Sequence, residues 1–258
     1  MTDGREQRIG IALGAGGANG LAHIAVLEAF DEAGIRPCHI AASSIGAVIG
    51  TLYAAGIDAR DIRELVGDLV ASRSGRWKQR LVNRKSFRWL RFLDPVVGKG
   101  GFLKSDAFLG WLLETTGRSR FEELDIPLSV VATDFWQGRQ EVFSSGELRP
   151  AIQSSIALPG LFTPSRVNGS VLVDGGAVNP VPFDVLPDDC TATLAIDVSG
   201  KRTEKAELSV TDTVFQTLQI MQRTIMAEKL KRIEPDLYLR AEIRDVRTLE
   251  FYKFDAVL

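Results

Sequence analysis

The chain has 258 residues, of which 45% are hydrophobic and 25% charged, and its formal net charge is −2. This length and composition allow one large globular domain with a buried core, and the near-neutral charge gives no sign of nucleic-acid binding. The two cysteines, Cys38 and Cys190, have no metal-binding or redox spacing, and two cysteines do not make a disulfide-rich scaffold. The simplest setting is therefore reducing and cytoplasmic.

The first third of the chain alternates short apolar strands with helices. Residues 9–13 and 37–41 are apolar runs that predict buried strands, and the first is too short for a signal sequence or a membrane span. Residues 21–33 and 45–55 have helical spacing, and a glycine ends each helix. This alternation predicts an α/β fold with a parallel sheet covered on both faces. Further strands are predicted at residues 128–132, 141–143, 171–173, 193–196 and 236–239, and the longest helix at residues 210–232.

Residues 73–91 differ in character, since they contain eight lysines and arginines, no acidic residue and several interleaved aromatic residues. We predict a basic aromatic cap at about residues 70–105, inserted into a single domain that spans residues 1–258. Two interpretations of the cationic stretch stay open. It is either a solvated helix face with a few core anchors, or an interfacial segment on anionic lipid, where each cation contributes ~1 kcal/mol.

Residues 42–46, Ala-Ser-Ser-Ile-Gly, follow the second strand and open the second helix. A nucleophile elbow has this context, because its strained strand-to-helix turn lifts a serine hydroxyl above the sheet edge and needs small neighbours such as Gly46. Ala42 replaces the first glycine of the usual G-x-S-x-G pattern. A helix start with Ser43 or Ser44 as N-cap explains the same residues equally well, so this motif alone does not decide.

A nucleophilic serine needs a base to take its proton. In α/β-hydrolases the base is a histidine that follows the serine, but His23 and His39 both precede Ser44, and we interpret them as structural. Residues 171–176, Val-Leu-Val-Asp-Gly-Gly, offer Asp174 at the end of an apolar strand, followed by a tight glycine turn. Asp-Gly-Gly alone is often only a turn. On the same parallel sheet as the serine, however, Asp174 supplies a carboxylate. With an ordinary pKa of ~3.9 that carboxylate is ionised at neutral pH and can accept the proton.

Residues 14–20, Gly-Ala-Gly-Gly-Ala-Asn-Gly, connect the first strand to the first helix. The backbone N–H groups of such a loop, with the helix dipole behind them, bind phosphate or stabilise an oxyanion. The dinucleotide pattern G-x-G-x-x-G fails in both frames, and the second strand ends without the acid that binds a ribose. We therefore predict an oxyanion hole beside Ser44, because the first two strands of such a sheet commonly lie adjacent.

In this order, the glycine-rich loop, the serine turn and Asp-Gly-Gly resemble the patatin-like phospholipase family, in its bacterial branch. The resemblance extends to residues 132–134, 154–160 and 179–182 and covers roughly residues 8–240. It implies a three-layer α/β/α sandwich with a mainly parallel central sheet. It also implies hydrolysis of acyl esters of phospholipids, lysophospholipids and neutral lipids, with no metal or other cofactor.

Carried over by position, the resemblance assigns the nucleophile to Ser44 and its base to Asp174. The N–H donors of the oxyanion hole fall on Gly16, Gly17 and Ala18. The glycines that support the motifs are Gly20, Gly46, Gly175 and Gly176.

Three residues depart from the family pattern. Ala15 and Ala42 each replace a motif glycine by one methyl group. Asn19 stands where the bacterial members usually carry arginine or lysine. Loss of that cation near the oxyanion or the lipid headgroup predicts reduced activity or an altered substrate preference.

The sequence therefore predicts a serine acyl hydrolase that cleaves carboxylic esters of lipids with a Ser-Asp dyad. The expected partners are a lipid or acyl-ester substrate and an anionic membrane contacted peripherally through residues 73–91, with no nucleic acid; the oligomeric state is not predicted. The expected location is cytoplasmic, peripheral to the membrane. Two alternatives stay open: an acyltransferase or thioesterase with the same dyad, and a non-catalytic lipid-binding regulatory protein on the same scaffold. The glycine-to-alanine changes favour the second alternative.

Overall fold

The structure is a computed structural model that describes residues 8–71, 105–201, 203 and 209–258. The cationic stretch at residues 73–91 lies outside the described residues, as does nearly all of the cap predicted at about residues 70–105. The single domain over residues 1–258 with an inserted cap therefore stays a prediction.

The described residues form strands and helices in alternation along most of the chain. The strands are β1 (Ile9–Leu13), β2 (His39–Ser43), β3 (Leu128–Asp134), β4 (Arg139–Phe143), β5 (Ser165–Val167), β6 (Ser170–Asp174), β7 (Ala192–Asp197) and β8 (Leu237–Arg240). The helices are α1 (Ala22–Glu32), α2 (Ile45–Ala54), α3 (Ala59–Ala71), α4 (Asp106–Thr116), α5 (Leu148–Ser155), α6 (Val210–Leu230) and α7 (Phe254–Val257). A short 3-10 turn, Gly17–Leu21, precedes α1.

The strands form one twisted, mainly parallel sheet in the order β5-β6-β3-β2-β1-β7-β8, with β4 paired to β3. Strands β3, β2, β1, β7 and β8 are parallel to their neighbours in that order. The predicted adjacency of the first two strands is confirmed, since Gly10 pairs with His39 and Leu13 with Ala42. Strand β2 lies two residues later than the predicted 37–41, because Ser43 still pairs with Val131 of β3.

Asp174 ends β6, which runs antiparallel to β3 and so lies outside the parallel part of the sheet. Strand β4 pairs with β3 along residues 130–134. A strand has two hydrogen-bonding edges, so β2 and β6 share the other edge of β3 and approach each other from opposite ends. Ser43 lies opposite Val131, and Asp174 lies opposite the next residue, Ala132. The end of β2 therefore meets the end of β6.

The side chains of β1 alternate between two apolar layers, as a central strand requires. Ile11 and Leu13 pack in a large buried cluster that includes residues of all five helices from α1 to α5. Ala12 packs on the opposite face with Met226 of α6. Helices therefore cover both faces of the sheet, which confirms the three-layer α/β/α sandwich. Among the described residues, no helix combines the length and apolarity needed to cross a bilayer.

The close contact between α2 and β1 leads to a stability prediction at Gly46. A Cβ atom there would meet the Leu13 carbonyl oxygen and lie 3.0 Å from that of Gly14. Since backbone cannot move aside as a flexible side chain can, Gly46→Ala should lower the free energy of unfolding by ~2 kcal/mol or more in urea titrations.

The matched control is Gly110→Ala in α4, where the nearest atom to an added Cβ is Arg149 Nη2 at 3.9 Å. Alanine has the higher helix propensity, so this variant should gain up to ~1 kcal/mol. Equal stability of Gly46→Ala and the wild type would show that α2 is not in close contact with β1 at this residue.

Candidate active site

Ser44 occupies a strained turn between β2 and α2. Its backbone has φ 57° and ψ −125°, in the half of the conformational map that non-glycine residues rarely adopt. Such a conformation costs about 1–3 kcal/mol and persists only where the surroundings impose it. Ser44 holds the N-cap position of α2, but its side chain makes no capping hydrogen bond. The hydroxyl instead donates to Asp174 Oδ2 at 2.5 Å.

The turn is held by a hydroxyl from a distant part of the chain. The Ser44 N–H donates to Ser155 Oγ at 2.9 Å, and that hydroxyl donates to the Val131 carbonyl oxygen at 2.7 Å. Ser155 is fully buried at the end of α5. The two bonds link the serine turn to the same edge of β3 on which β2 and β6 meet. Ser155 therefore fixes the backbone that presents the Ser44 hydroxyl.

Asp174 is nearly completely buried and is held from both ends. Its backbone N–H donates to the Ala157 carbonyl oxygen at 3.1 Å, and its own carbonyl oxygen accepts from Thr133 Oγ1 at 2.8 Å. The carboxylate accepts from Ser44 Oγ through Oδ2 and from the Gly176 N–H through Oδ1, the latter at 2.8 Å. The side chain therefore has one fixed orientation.

Burial of the carboxyl raises the pKa of Asp174 to about 6, although the hydrogen bonds from Ser44 and Gly176 favour the ionised form. The expectation of an ordinary pKa near that of a free aspartate is therefore wrong. A carboxylate with a pKa close to neutrality is still ionised at pH 7 and is a stronger base than an exposed aspartate.

The two glycines after Asp174 leave no room for side chains. A Cβ atom on Gly175 would meet the Val131 carbonyl oxygen and lie 2.7 Å from Ser43 Oγ. One on Gly176 would lie 2.8 Å from the Ala15 methyl group. The Asp-Gly-Gly turn therefore packs against the serine turn on one side and the glycine-rich loop on the other.

The glycine-rich loop begins directly behind the serine turn. Gly46 packs on the Gly14 carbonyl oxygen, and a Cβ atom on Gly20 would collide with the Ile45 side chain. Within the part of the chain that the structure describes, the N–H groups of Gly16 and Gly17 have no hydrogen-bond acceptor. Two donors predicted for an oxyanion hole are therefore unengaged, and Gly17 lines the same cavity as Ser44.

Ala18, the third predicted donor, is engaged elsewhere. Its N–H donates to the Thr248 carbonyl oxygen at 2.8 Å. Thr248 precedes α7, in a region that the sequence resemblance did not reach. It also lies directly over Gly17, where an added Cβ atom would be 2.6 Å from Thr248 Cγ2. The C-terminal segment therefore covers one end of the loop and binds the N–H that was assigned to substrate.

The two histidines lie in structural positions. His23, fully buried in α1, has Nε2 2.8 Å from the Gly14 carbonyl oxygen, and burial lowers its pKa to about 4. The neutral ring therefore donates to Gly14 and holds the base of the loop. His39 Nε2 lies 2.8 Å from Ser129 Oγ, between β2 and β3. In the described residues, no group of three or more histidine, cysteine, aspartate or glutamate side chains is arranged to hold a metal ion.

The three departures from the family pattern are accommodated in different ways. Ala42 is completely buried in the core on β2, and the Ala15 methyl group lies against Gly176. Asn19 is also completely buried, and within the described residues neither of its side-chain polar atoms has a hydrogen-bond partner. The methyl groups of both alanines are therefore accommodated in packed surroundings.

An apolar cavity of about 220 Å³ opens beside Ser44. It follows one face of α2, where Ile45, Val48, Ile49 and Leu52 succeed one another at helical spacing. Leu52 is eight residues from Ser44, which places it roughly 12 Å along the helix. The opposite walls come from several other elements: Leu21, Val66, Leu69, Phe108, Trp111, Ile156, Leu158, Leu161, Phe162, Leu249 and Phe251. The walls are almost wholly apolar, so they favour contact with a hydrocarbon over a polar group.

The sequence reasoning missed several of these residues. Ser155 lies in one of the stretches that carried the resemblance, but nothing in its local pattern shows that its hydroxyl reaches a turn 111 residues earlier. Thr248, Leu249 and Phe251 lie beyond the matched region. Phe108 and Trp111 read as ordinary apolar positions of a helix. A contact between distant segments leaves no signal in either segment alone.

Comparison with known proteins agrees with the fold. The family described as patatin-like phospholipase matches residues 11–187. An uncharacterised NTE family protein of Mycobacterium tuberculosis is 34% identical over 221 residues, which are 85% of this chain and 57% of that protein. A lysophospholipase, NTE1, of Saccharomyces cerevisiae is 27% identical over 277 residues, 97% of this chain and 16% of that protein.

A solved structure shows the same fold. The crystal structure of VipD from Legionella pneumophila superposes with a TM-score of 0.52 and 14% identity, covering 98% of this chain and 66% of that one. The chain belongs to the patatin-like phospholipase family. It spans just over half the length of its mycobacterial relative and about a sixth of the yeast one.

The raised pKa of Asp174 leads to a stability prediction. In the folded state the carboxyl holds its proton up to about pH 6, whereas the unfolded chain releases it near 3.8. The free energy of unfolding should therefore fall as pH rises from about 4 to 6 and remain lowered above that range. Asp174→Asn removes the buried charge and should unfold with up to about 3 kcal/mol more free energy than the wild type at pH 8.

The gain should vanish near pH 4, where both proteins are neutral at this position. Asp236→Asn is the matched control, because hydrogen bonds from Thr193 lower the pKa of Asp236 and its ionised form is favourable. That variant should show no gain at pH 8. A wild type as stable as Asp174→Asn at every pH would contradict the raised pKa.

Proposed function

We propose that this protein is a serine acyl hydrolase that cleaves carboxylic ester bonds of lipids, with Ser44 as nucleophile and Asp174 as its base. The observation that carries the proposal is the 2.5 Å hydrogen bond from Ser44 Oγ to the buried Asp174 carboxylate. The strained backbone of Ser44 and the apolar cavity beside it support the same assignment.

In the first step Ser44 Oγ attacks the carbonyl carbon of the ester, and its proton passes to Asp174 Oδ2. The bond to Gly176 keeps the carboxylate in position during the transfer. The unengaged N–H groups of Gly16 and Gly17 stabilise the oxyanion, and each such donor contributes about 10²–10³ in rate. Ala18 is left out of this assignment, because its N–H donates to Thr248.

In the second step the tetrahedral intermediate collapses, the carbon–oxygen bond of the ester breaks, and the alcohol leaves with the proton from Asp174. The acyl group is then held on Ser44 Oγ. Asp174 takes a proton from a water molecule, which attacks the acyl carbon and releases the fatty acid. The proton returns to Ser44 Oγ and restores the starting state.

The acyl chain of the substrate lies in the cavity along α2. Its walls are almost wholly apolar, so they favour a hydrocarbon over a headgroup. The fungal relatives are named lysophospholipases, which suggests a lipid with a single acyl chain. We extend that substrate class to this chain as part of the proposal.

A membrane-bound substrate requires the enzyme to work at a lipid surface. Phe135 and Trp136 support such a contact, because they form an exposed aromatic pair at the turn after β3, beyond the level of Asp174. Contact through residues 73–91 and a cytoplasmic location remain predictions, since residues 73–91 lie outside the described part of the chain.

Hydrolysis of p-nitrophenyl esters tests the dyad. Ser44→Ala removes the nucleophile and Asp174→Asn removes the base, so each should lower kcat/KM by about 10³-fold or more. Ser43→Ala is the neighbouring control, because in the described residues the buried Ser43 hydroxyl has no hydrogen-bond partner. It should retain activity within about threefold.

The pH profile gives a second readout of the same dyad. Since Asp174 must be ionised and its pKa is about 6, kcat/KM should rise with pH through about 6 and then level off. An active Ser44→Ala or Asp174→Asn variant, or a profile flat between pH 5 and 7, would refute the assignment.

The acyl cavity predicts a change of chain-length preference in Val48→Phe. Val48 lines the cavity one helical turn from Ser44, so the larger ring obstructs a long chain but not an acetyl group. The kcat/KM for a twelve-carbon ester should fall roughly tenfold or more relative to that for acetate. Val214→Phe, at an exposed position on α6, is the control and should leave the ratio unchanged. An unchanged ratio in Val48→Phe would show that the acyl chain of the substrate binds outside this cavity.

A further inference from the structure

Two cysteines that are far apart in the sequence lie side by side where β2 and β7 begin, at the end of β2 opposite to Ser44. Cys38 and Cys190 are 152 residues apart, yet their Sγ atoms are 2.7 Å from each other. Both are half-buried free thiols. Cys38 directly precedes β2, and Cys190 precedes β7, the two strands that flank β1. The pair therefore bridges both neighbours of the central strand.

Gly10 on β1 makes room for this contact. A Cβ atom at Gly10 would lie 2.8 Å from Cys190 Sγ and 3.2 Å from Cys190 Cβ. The Cys190 side chain thus lies directly on β1 and reaches across it toward Cys38. The backbone on both sides is fixed at the start of β1, since the Cys38 N–H donates to the Ile9 carbonyl oxygen and the Thr191 N–H to that of Arg8, the residue before β1, each at 2.9 Å. The contact is therefore built into the sheet.

The separation is close to that of a bond. A disulfide is about 2.05 Å long, so the sulfur atoms need to approach by only about 0.7 Å from their 2.7 Å separation. The spacing of the two cysteines matches no redox motif, so the sequence alone does not predict this contact. We propose that Cys38 and Cys190 form a redox modification site, which a peroxide-class oxidant converts reversibly into an intramolecular disulfide.

The chemistry balances with hydrogen peroxide as oxidant. The thiolate of one cysteine attacks one peroxide oxygen, the O–O bond breaks, hydroxide leaves and that cysteine becomes a sulfenic acid. The sulfur of the other cysteine then attacks the sulfenic sulfur, the S–O bond breaks, and water leaves with the proton of the second thiol. Two thiols lose two hydrogens, and the peroxide is reduced to two waters.

The disulfide should change stability rather than catalysis. It joins the starts of β2 and β7, whereas Ser44 follows the other end of β2. A cross-link between residues this far apart restricts the unfolded chain strongly, so it favours the folded state. The site is independent of the proposed function, and its test needs no activity assay.

The test uses the full chain, reduced and then treated with hydrogen peroxide. Its intact mass should fall by two hydrogens, and peptide mapping without reductant should show the Cys38 peptide joined to the Cys190 peptide. The Tm should rise by several degrees, and dithiothreitol should reverse both changes. Cys38→Ser and Cys190→Ser should show neither the mass loss nor the Tm rise.

Gly10→Ala keeps both thiols but places a methyl group against Cys190 Sγ. It should slow the linkage at least several-fold, whereas Gly110→Ala should not. Oxygen addition to either cysteine without linkage, a disulfide between two chains, or two thiols that still alkylate fully after peroxide would each overturn the proposal. Peptide mapping of the wild type decides the question even if a variant fails to fold.

Discussion

The geometry of the site depends on two strands that share one edge of β3. Strand β4 occupies the other edge, so β2 and β6 approach from opposite ends and stop on consecutive residues of β3. Where β2 stops, the chain turns into α2 through Ser44. Where β6 stops, it turns through two glycines after Asp174. The hydroxyl and the carboxylate meet because neither strand can extend further without colliding with the other.

This arrangement costs free energy, and contacts from the surrounding residues offset part of that cost. Ser44 has a backbone conformation that few residues adopt, and Asp174 carries a carboxyl in a nearly water-free position. The Ser155 hydroxyl accepts a hydrogen bond from the Ser44 N–H, and the Gly176 N–H donates to Asp174 Oδ1. The proposed function and stability therefore compete at this point of the fold, as is common where strain is stored.

Local features of the sequence were sufficient to predict the sheet core and to single out Ser44 and Asp174, whose side chains lie in contact in the structure. The apolar runs predicted β1 and β2, and the small residues around Ser44 predicted the turn. The direction of β6 could not be predicted, because five residues with a buried end look alike in parallel and antiparallel pairing. The roles of Ser155 and Thr248, and the contact between Cys38 and Cys190, depend on folding of distant segments. The raised pKa of Asp174 likewise follows from burial, which the residue alone does not show.

The most direct test of the central claim is covalent labelling of the full chain with a fluorophosphonate probe, followed by peptide mass spectrometry. A hydroxyl activated by the buried carboxylate should carry a single adduct on Ser44, and labelling should quicken as pH rises through about 6. Asp174→Asn should abolish it. An unlabelled Ser44, or a labelling rate that does not change when Asp174 is replaced, would contradict the account.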